Sequence, residues 1–331
     1  MASSGGNTAV IAALAANLTI ALFKFVAWLL TQSSSMLAEA IHSVADSGNQ
    51  VLLLVGGKRS KRQASAEHPF GFGRERYIYA FIVSIILFSV GGLFALYEAY
   101  EKFKDPHGIE GRWWWVPVAV LVGAMIAEGL SFRTAIHESN AVRGTTGWVQ
   151  FVRRAKSPEL PVILLEDLGA LVGLFFALLG VCLTLLTGNG IFDALGTAMI
   201  GLLLVCIAIV LAIETKSLLL GESASRENVA RIESAITASG TPIIHLKTLH
   251  LGPEEILVAA KIGISAGASG EQIASAIDEA EAGIRAAVPT ATVIYLEPDI
   301  PRSGSAAAQA TGTLPATESG QTTGNDGGVQ Q

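Results

Sequence analysis

Six long apolar segments occupy most of the chain up to residue 213, and they decide what this protein can fold into. They run over residues 8–30, 36–57, 77–100, 113–136, 160–187 and 191–213. A helix needs about 20 mostly apolar residues to cross a bilayer, and every segment is long enough. The composition of the 331 residues agrees, because 51% are hydrophobic and only 15% are charged. We therefore predict six transmembrane helices, which excludes a single water-soluble domain.

Basic residues are concentrated in two of the loops between these segments. The loop over 58–76 holds six Lys or Arg residues, and the loop over 140–159 holds four. The loops on the other side hold fewer basic residues, each near acidic ones: Lys102, Lys104 and Arg112. Because basic loops face the cytoplasm, six spans place both termini there. We expect a multi-pass protein of the plasma (inner) membrane.

Two further signals agree with this orientation. Residues 1–7 contain no Lys or Arg, and the first segment is too long for a signal peptide, so we expect it to be retained as a span. A run of three tryptophans at 113–115 fits the aromatic belt at the outer membrane interface.

After residue 215 the pattern becomes that of a small α+β domain. Apolar periodicity predicts helices over 226–238 and 271–288. Runs rich in β-branched residues predict three strands, with Gly252-Pro253 as the turn between the first two: 243–251, 256–264 and 291–296. The order α-β-β-α-β suits a sandwich with the helices on one face of the sheet.

The chain is therefore expected to divide into three parts. A six-span domain covers 8–215, a cytoplasmic domain covers 216–300, and a tail covers 301–331. The tail is rich in small and polar residues and cannot bury enough apolar surface to order, so we expect it to be disordered. The net charge of −6 argues against a nucleic-acid partner, because phosphate neutralisation needs a basic face.

The second segment carries a stripe of polar side chains inside the predicted membrane region. Glu39, His42, Asp46 and Asn49 are spaced three, four and three residues apart, which places them on one helix face. An ionisable group near the bilayer centre costs at least about 2.5–3.5 kcal/mol, so such groups usually face a bundle interior or a water-filled cavity. His42 and Asp46 can converge as half of a site for a divalent cation. The alternative is a structural hydrogen-bonded pair.

Acidic residues in two other segments are candidates to complete that site. Glu166 and Asp167 are adjacent, so they differ by about 100° around a helix and cannot face one centre equally well. Their alternative role is the start of a helix at the membrane interface, where acids are favourable. Glu128 lies alone near the middle of the fourth segment. It is either part of the site or a partner for a cation such as Lys24.

The stretch His42-Ser-Val-Ala-Asp46, in the second of six segments, resembles the metal-site half of the cation diffusion facilitator family. Two stretches are similar to the branch that includes the mitochondrial zinc exporter of animals: 68–76 and 153–167. The resemblance implies a metal site made of His42, Asp46 and Asp167, and a cytoplasmic ferredoxin-like domain. It also implies proton-driven export of a divalent metal from the cytoplasm by alternating access, in a homodimer within the lipid bilayer.

The sequence departs from the family pattern four residues before Asp167. The family places a second ligand there, and this chain has Ile163, which cannot bind a metal. The fourth ligand or a proton relay is then water or one of these: Glu166, Glu128, Glu39 and Asn49. One His with carboxylates favours Zn²⁺ and allows manganese, iron(II) or cobalt, while the lack of thiolates argues against copper(I). We expect no resident cofactor, with the metal as cargo and protons as the counter-ion.

The cytoplasmic domain over 216–300 is expected to act as a dimerisation module rather than a metal sensor. His245 and His250 are five residues apart on one predicted strand, so their side chains face opposite sides. They cannot bind one ion together.

Two other functions fit the same pattern of segments. One is a proton-coupled transporter of an organic solute with His42 and Asp46 as relay groups, and metal-dependent proton flux distinguishes it from a metal carrier. The other is a membrane scaffold that acts through its cytoplasmic domain, and in that case His42→Ala has no effect. An enzyme is not expected, because we find no Ser–His dyad and no paired Asp motif.

Overall fold

The computed structural model describes residues 4–109 and 112–301, with side chains from Asn17 onward. These residues form two compact units. The first contains the chain up to Ala224 together with Thr248–Leu257, and the second contains Ser225–Lys247 and the described chain from Val258 onward. The predicted disordered tail lies outside the described residues, apart from position 301.

Six long helical stretches make up most of the first unit. They are α1 (Ser4–Thr31), α2 (Ser34–Arg59), α3 (Glu75–Ile86) with a π-helical segment (Leu87–Leu93) and α4 (Phe94–Lys104), α5 (Val116–Arg143), α7 (Glu159–Thr187) and α8 (Ile191–Leu220). The third stretch runs through the π-helical segment without a break, from Glu75 to Lys104. Five of the stretches contain a predicted apolar segment in full, and α5 begins three residues after the start of the fourth segment.

Four of these stretches are long and apolar enough to cross a membrane, among the residues that the structure describes. They are Glu75–Lys104, Val116–Arg143, Glu159–Thr187 and Ile191–Leu220. The part of α1 whose side chains are described, Asn17–Thr31, is a shorter apolar helix. The helix α2 has the length but carries the polar stripe, which lowers its hydropathy. The count of six spans therefore stays a prediction.

The helices differ from the predicted segments mainly at their ends. The helix α5 continues to Arg143 because the polar residues after position 136 still form helical turns. The helix α8 continues to Leu220, past the predicted domain boundary at 215. A short helix that the sequence analysis did not predict, α6 (Trp148–Arg154), lies in the basic loop before α7. A search for long apolar segments finds the part of a helix that can lie in the membrane, but it does not find the polar turns that extend the helix.

The first turn of α2 is held by a buried carboxylate from the first turn of α8. Asp193 is fully buried and accepts hydrogen bonds from the hydroxyls of Ser33 and Ser34 and from the backbone N–H groups of Ser34 and Ser35, at 2.7–3.3 Å. The Ser33 hydroxyl also accepts a bond from the Met36 N–H. A helix start has N–H groups without intrahelical partners, and these side chains satisfy them.

The C-terminal region has the predicted order α-β-β-α-β. Its elements are α9 (Arg226–Ala238), β1 (Ile243–Gly252), β2 (Glu255–Gly263), α10 (Gly270–Ala287) and β3 (Ala291–Asp299). The strands lie in the order β1-β2-β3. The first two pair as a hairpin, and a hydrogen bond from Ile264 N–H to the Asp299 carbonyl joins the ends of β2 and β3. The hairpin turn lies at Pro253-Glu254, because Gly252 still belongs to β1.

Candidate metal centre

The polar stripe of α2 lies on one buried face of the helix. Glu39, His42 and Asn49 are almost fully buried, and 15% of the Asp46 side chain is exposed. His42 Nε2 lies 3.4 Å from Asp46 Oδ2. The two side chains therefore converge, as their i, i+4 spacing predicts.

Several polar atoms of this stripe are buried without a hydrogen-bond partner. Among the described residues, nine buried side-chain nitrogen or oxygen atoms lack a partner, and five of them lie on the stripe. They are Glu39 Oε1, both ring nitrogens of His42, Asp46 Oδ1 and Asn49 Oδ1. Buried polar atoms in native proteins are nearly always hydrogen-bonded, so exceptions need an explanation. Here the atoms are of the kinds that bind divalent cations: imidazole nitrogen and carboxylate or amide oxygen.

Lys24 of α1 pairs with the first residue of the stripe. Its ammonium group donates to Glu39 Oε2 at 2.9 Å and to Ser43 Oγ at 2.7 Å, and both charged groups are buried. The hydrogen-bonded partner of Lys24 is therefore Glu39, while Glu128 interacts with Lys24 only electrostatically. A buried ion pair of this kind joins α1 to α2, and the loss of either partner leaves an uncompensated charge.

The two adjacent acids of α7 are both buried but contact different helices. Glu166 Oε1 accepts a 2.7 Å hydrogen bond from Asn49 Nδ2 on the α2 stripe. Asp167 Oδ2 accepts a 2.9 Å bond from the Ser131 hydroxyl on α5. The divergence is the one that their rotation of about 100° predicts. Because α7 begins at Glu159, about two turns earlier, the acids do not form an exposed helix start.

These groups share one polar region between α2, α5 and α7. Half-buried Glu128 interacts electrostatically with His42, Asp46 and Lys24, and Asp167 interacts with Asp46 and Glu128. Within the ranges that the structure describes, however, no three His, Cys, Asp or Glu side chains are grouped closely enough to hold a metal ion. The structure brings His42 and Asp46 together and places Asp167 nearby, outside a common coordination shell.

Sequence reasoning missed the π-helical segment that faces His42. A Cβ atom added at Gly91 would lie 3.8 Å from His42 Nδ1, an ordinary contact, and 3.2 Å from Leu204 Cδ1, a tight one, so Gly91 lies directly beside the His42 ring. Single π-helical turns inside α-helices occur often at functional sites. The pair Gly91-Gly92 in the middle of an apolar segment is the signal that was available in the sequence.

The two histidines of β1 have different surroundings. His245 is half-buried, whereas His250 is buried and its Nδ1 lies 3.1 Å from the Gly252 carbonyl, to which it donates. Burial lowers the pKa of His250 below its usual value. Metal-independent dimerisation through this region stays a prediction.

Comparison with known proteins gives a family for the chain. Residues 10–220 match the model of the cation efflux transmembrane domain. The chain is 33% identical over 263 residues to mouse "Proton-coupled zinc antiporter SLC30A9, mitochondrial", which covers 78% of this chain and 46% of the mouse protein. It is 28% identical over 229 residues to Metal tolerance protein C4 of Arabidopsis thaliana, covering 68% and 49%.

A bacterial relative matches over more of its own length. Zinc transporter ZitB of Pectobacterium atrosepticum is 24% identical over 249 residues, which cover 75% of this chain and 72% of that protein. By contrast, the chain spans about half the length of the mouse and Arabidopsis relatives. The matched region contains the α2 stripe and both α7 acids. The chain belongs to the cation diffusion facilitator family and lies near the branch of the mitochondrial SLC30A9 antiporters.

Proposed function

We propose that this chain transports a divalent metal ion, with Zn²⁺ as the favoured cargo, through a site made by His42, Asp46 and Asp167. The observation that carries this proposal is the set of five buried polar atoms without partners on the α2 stripe. They lie beside two buried acids of α7, in a chain whose relatives carry the names of zinc transporters. One imidazole with carboxylates suits zinc better than calcium or copper(I).

Transport requires a site that forms and opens again. The three proposed ligands come from α2 and α7 and do not share a coordination shell in this conformation. A metal ion that binds them draws the two helices together, and release separates them. Glu166 is the proposed fourth ligand, because its hydrogen bond to Asn49 already directs it at the stripe. This exchange between two arrangements is what alternating access needs.

Proton coupling follows from the chemistry of the same ligands. A metal binds neutral imidazole and ionised carboxylates, so bound protons and bound metal exclude one another. Protons that enter from the acidic side therefore displace the cargo, and the exchange is an antiport. The mouse relative is named a proton-coupled zinc antiporter, which supports this mechanism.

Orientation sets the direction of transport. We propose six spans in the plasma (inner) membrane, with the basic loops and both termini in the cytoplasm, so that metal leaves the cytoplasm. A cysteine at exposed Gln63 then resists an impermeant thiol reagent added outside, while one at exposed Asp105 reacts, after Cys182 and Cys206 are replaced by Ser. The opposite labelling reverses the direction. We expect the chain to work as a homodimer through its C-terminal region.

The direct test is flux in proteoliposomes that carry a pH dye and a metal dye. Zn²⁺, Mn²⁺, Fe²⁺ and Co²⁺ are compared, and we expect metal-dependent proton movement that is largest with Zn²⁺. His42→Ala should abolish it, whereas His107→Ala, at an exposed histidine outside the helices, should not. Flux that survives His42→Ala, or proton movement without any metal dependence, contradicts the proposal.

A further inference from the structure

A cavity lies away from the α2 stripe, between α5, α6, α7 and α8. It encloses about 690 Å³, within the range of about 300–1,000 Å³ typical of small-molecule sites. Its lining is almost entirely apolar and includes Phe132, Trp148, Val149, Leu164, Leu168 and Ile213. The two charged residues in the lining form a pair, with Arg153 Nε 3.7 Å from Glu214 Oε1. None of these residues belongs to the proposed metal site.

The short helix α6 forms one wall of this cavity and is firmly placed. Phe151, on the other side of α6, is buried in a small apolar cluster with Ala135 of α5 and Leu164 of α7. Trp148 packs edge-on against Phe151, with ring centroids 6.4 Å apart. The cavity is therefore built by packed elements and does not depend on a loose loop.

Several of the cavity's apolar side chains are also exposed at the surface of the helix bundle. Val149 is 74% exposed, and Leu168, Val210 and Ile213 are each at least 40% exposed. Val149 lies on the short helix α6, whereas Leu168 lies on α7 and Val210 and Ile213 lie on α8, which are both long and apolar enough to cross a membrane. In a membrane, such exposed apolar side chains face lipid, since lipid tails are as apolar as they are. The molecules that meet this cavity are therefore acyl chains.

Arginines lie in and beside the lining of the same cavity. The Arg143 guanidinium lies 4.1 Å from the centroid of the Trp148 ring, and Arg153 and Arg154 are exposed at the end of α6. Glu214 is the one acidic residue among the described lining residues. Arginine presents a planar fork of donors that matches a phosphate group. Within the described lining Arg153 and Glu214 balance, so the positive charge that complements an anionic headgroup comes from Arg143 and Arg154 beside it.

We propose that this cavity binds one anionic phospholipid. An acyl chain lies along the apolar lining between α5, α6 and α8, and the headgroup phosphate lies against Arg153 and Arg154. This assigns a role to the basic run that precedes α7: it holds a lipid beside the helix that carries Glu166 and Asp167. Each arginine near a lipid phosphate contributes about 1 kcal/mol, which corresponds to about a fivefold preference for the anionic lipid.

Native mass spectrometry of the purified full chain tests the proposal without any metal present. The protein is mixed with phosphatidylglycerol and with phosphatidylcholine of the same acyl chains, and retained lipid is counted. We expect phosphatidylglycerol to be retained at least about fivefold better, and Arg153→Gln with Arg154→Gln to remove that preference. Arg153→Lys with Arg154→Lys should keep part of the preference for phosphatidylglycerol, because the positive charges remain. Arg112→Gln, at an arginine that also lies beside a tryptophan but lines no described cavity, is the matched control.

The position of the acyl chain is read from fluorescence. Phosphatidylglycerol with brominated chains should quench Trp148, so the total quenching should be smaller in Trp148→Phe, where only the other four tryptophans remain. Equal retention of both lipids by the unchanged protein, or equal quenching in Trp148→Phe, overturns the proposal. A Val149→Cys disulfide between two copies that leaves lipid retention unchanged would overturn it too, since the cavity would then be a contact between chains and the lipid would lie elsewhere.

Discussion

Buried polar groups lie at the first turn of α2 and again along its polar stripe, and they differ in how fully they are hydrogen-bonded. At its start, Asp193 accepts hydrogen bonds from two serine hydroxyls and two backbone N–H groups. Further along, the stripe of Glu39, His42, Asp46 and Asn49 leaves five buried polar atoms without a partner. Both regions are buried, and both lie on the same helix. They differ in whether the protein satisfies its own polar groups.

This difference separates structure from function better than burial does. A buried carboxylate with all of its bonds made adds to the rigidity of the fold. Buried imidazole and carboxylate atoms without partners lower stability, and a protein keeps them where a ligand is to be bound. The predictions below test whether the two regions really respond in opposite ways.

The largest expected effect is on transport, from a change on the stripe. Asp46→Asn keeps the size of the side chain but removes the charge that a metal ligand needs. We expect transport to fall at least about 100-fold, since even residues that only support metal ligands cost 10–100-fold when changed. The melting temperature should stay the same or rise, because a buried charge with an unpartnered oxygen is removed. Transport assays with melting curves measure both, and a large loss of stability would contradict the comparison.

Asp193→Asn should give the reverse pattern. The amide NH₂ of asparagine would point at hydroxyl and N–H donors that the carboxylate now accepts from, which leaves buried donors unsatisfied. We expect a loss of about 1–3 kcal/mol in the free energy of unfolding. Folded protein that remains should still bind metal. Asp105→Asn, at an exposed aspartate, is the control and should melt like the unchanged protein.

The two adjacent acids of α7 allow the effects of a hydrogen-bonded acid and a proposed ligand to be compared side by side. Asp167→Asn should lose transport almost completely, as the family pattern implies. Glu166→Gln should lose less, because glutamine still accepts the Asn49 hydrogen bond through its carbonyl oxygen. Metal uptake by the two variants, made in parallel, measures the difference. If Glu166→Gln is the more damaging change, Glu166 is the principal ligand of α7.

The smallest effect is expected at His250, which also has a buried nitrogen without a partner but lies outside the α2 stripe. Burial lowers its pKa, so the folded protein favours the neutral form and the unfolded chain binds the proton more readily. Stability from this group is therefore present above the usual histidine pKa and is lost as the pH falls below it. Melting curves between pH 7 and 5 should show a smaller drop for His250→Gln. An identical drop in melting temperature in both proteins would show that His250 does not contribute to the pH dependence of stability.

The sequence predicts the parts of this fold that rest on local patterns. Apolar segments located six helical stretches, and the spacing of the stripe placed His42 and Asp46 on one face. The order of the C-terminal elements also followed from periodicity and turn residues. The contacts of Lys24 and Glu166 did not follow, because they depend on how α1, α2 and α7 pack together. The capping of α2 by Asp193 joins residues far apart in the chain, and no local pattern indicates it.

Zinc binding by the purified full chain tests the central claim most directly. Calorimetry is done at neutral pH on the unchanged protein, on Asp46→Asn and on Asp193→Asn, with each sample below its melting temperature. We predict one tight site per chain in the unchanged protein, the loss of that site in Asp46→Asn, and its retention in Asp193→Asn. Undiminished zinc affinity in Asp46→Asn would contradict the claim that the unpartnered atoms of the α2 stripe are the metal site.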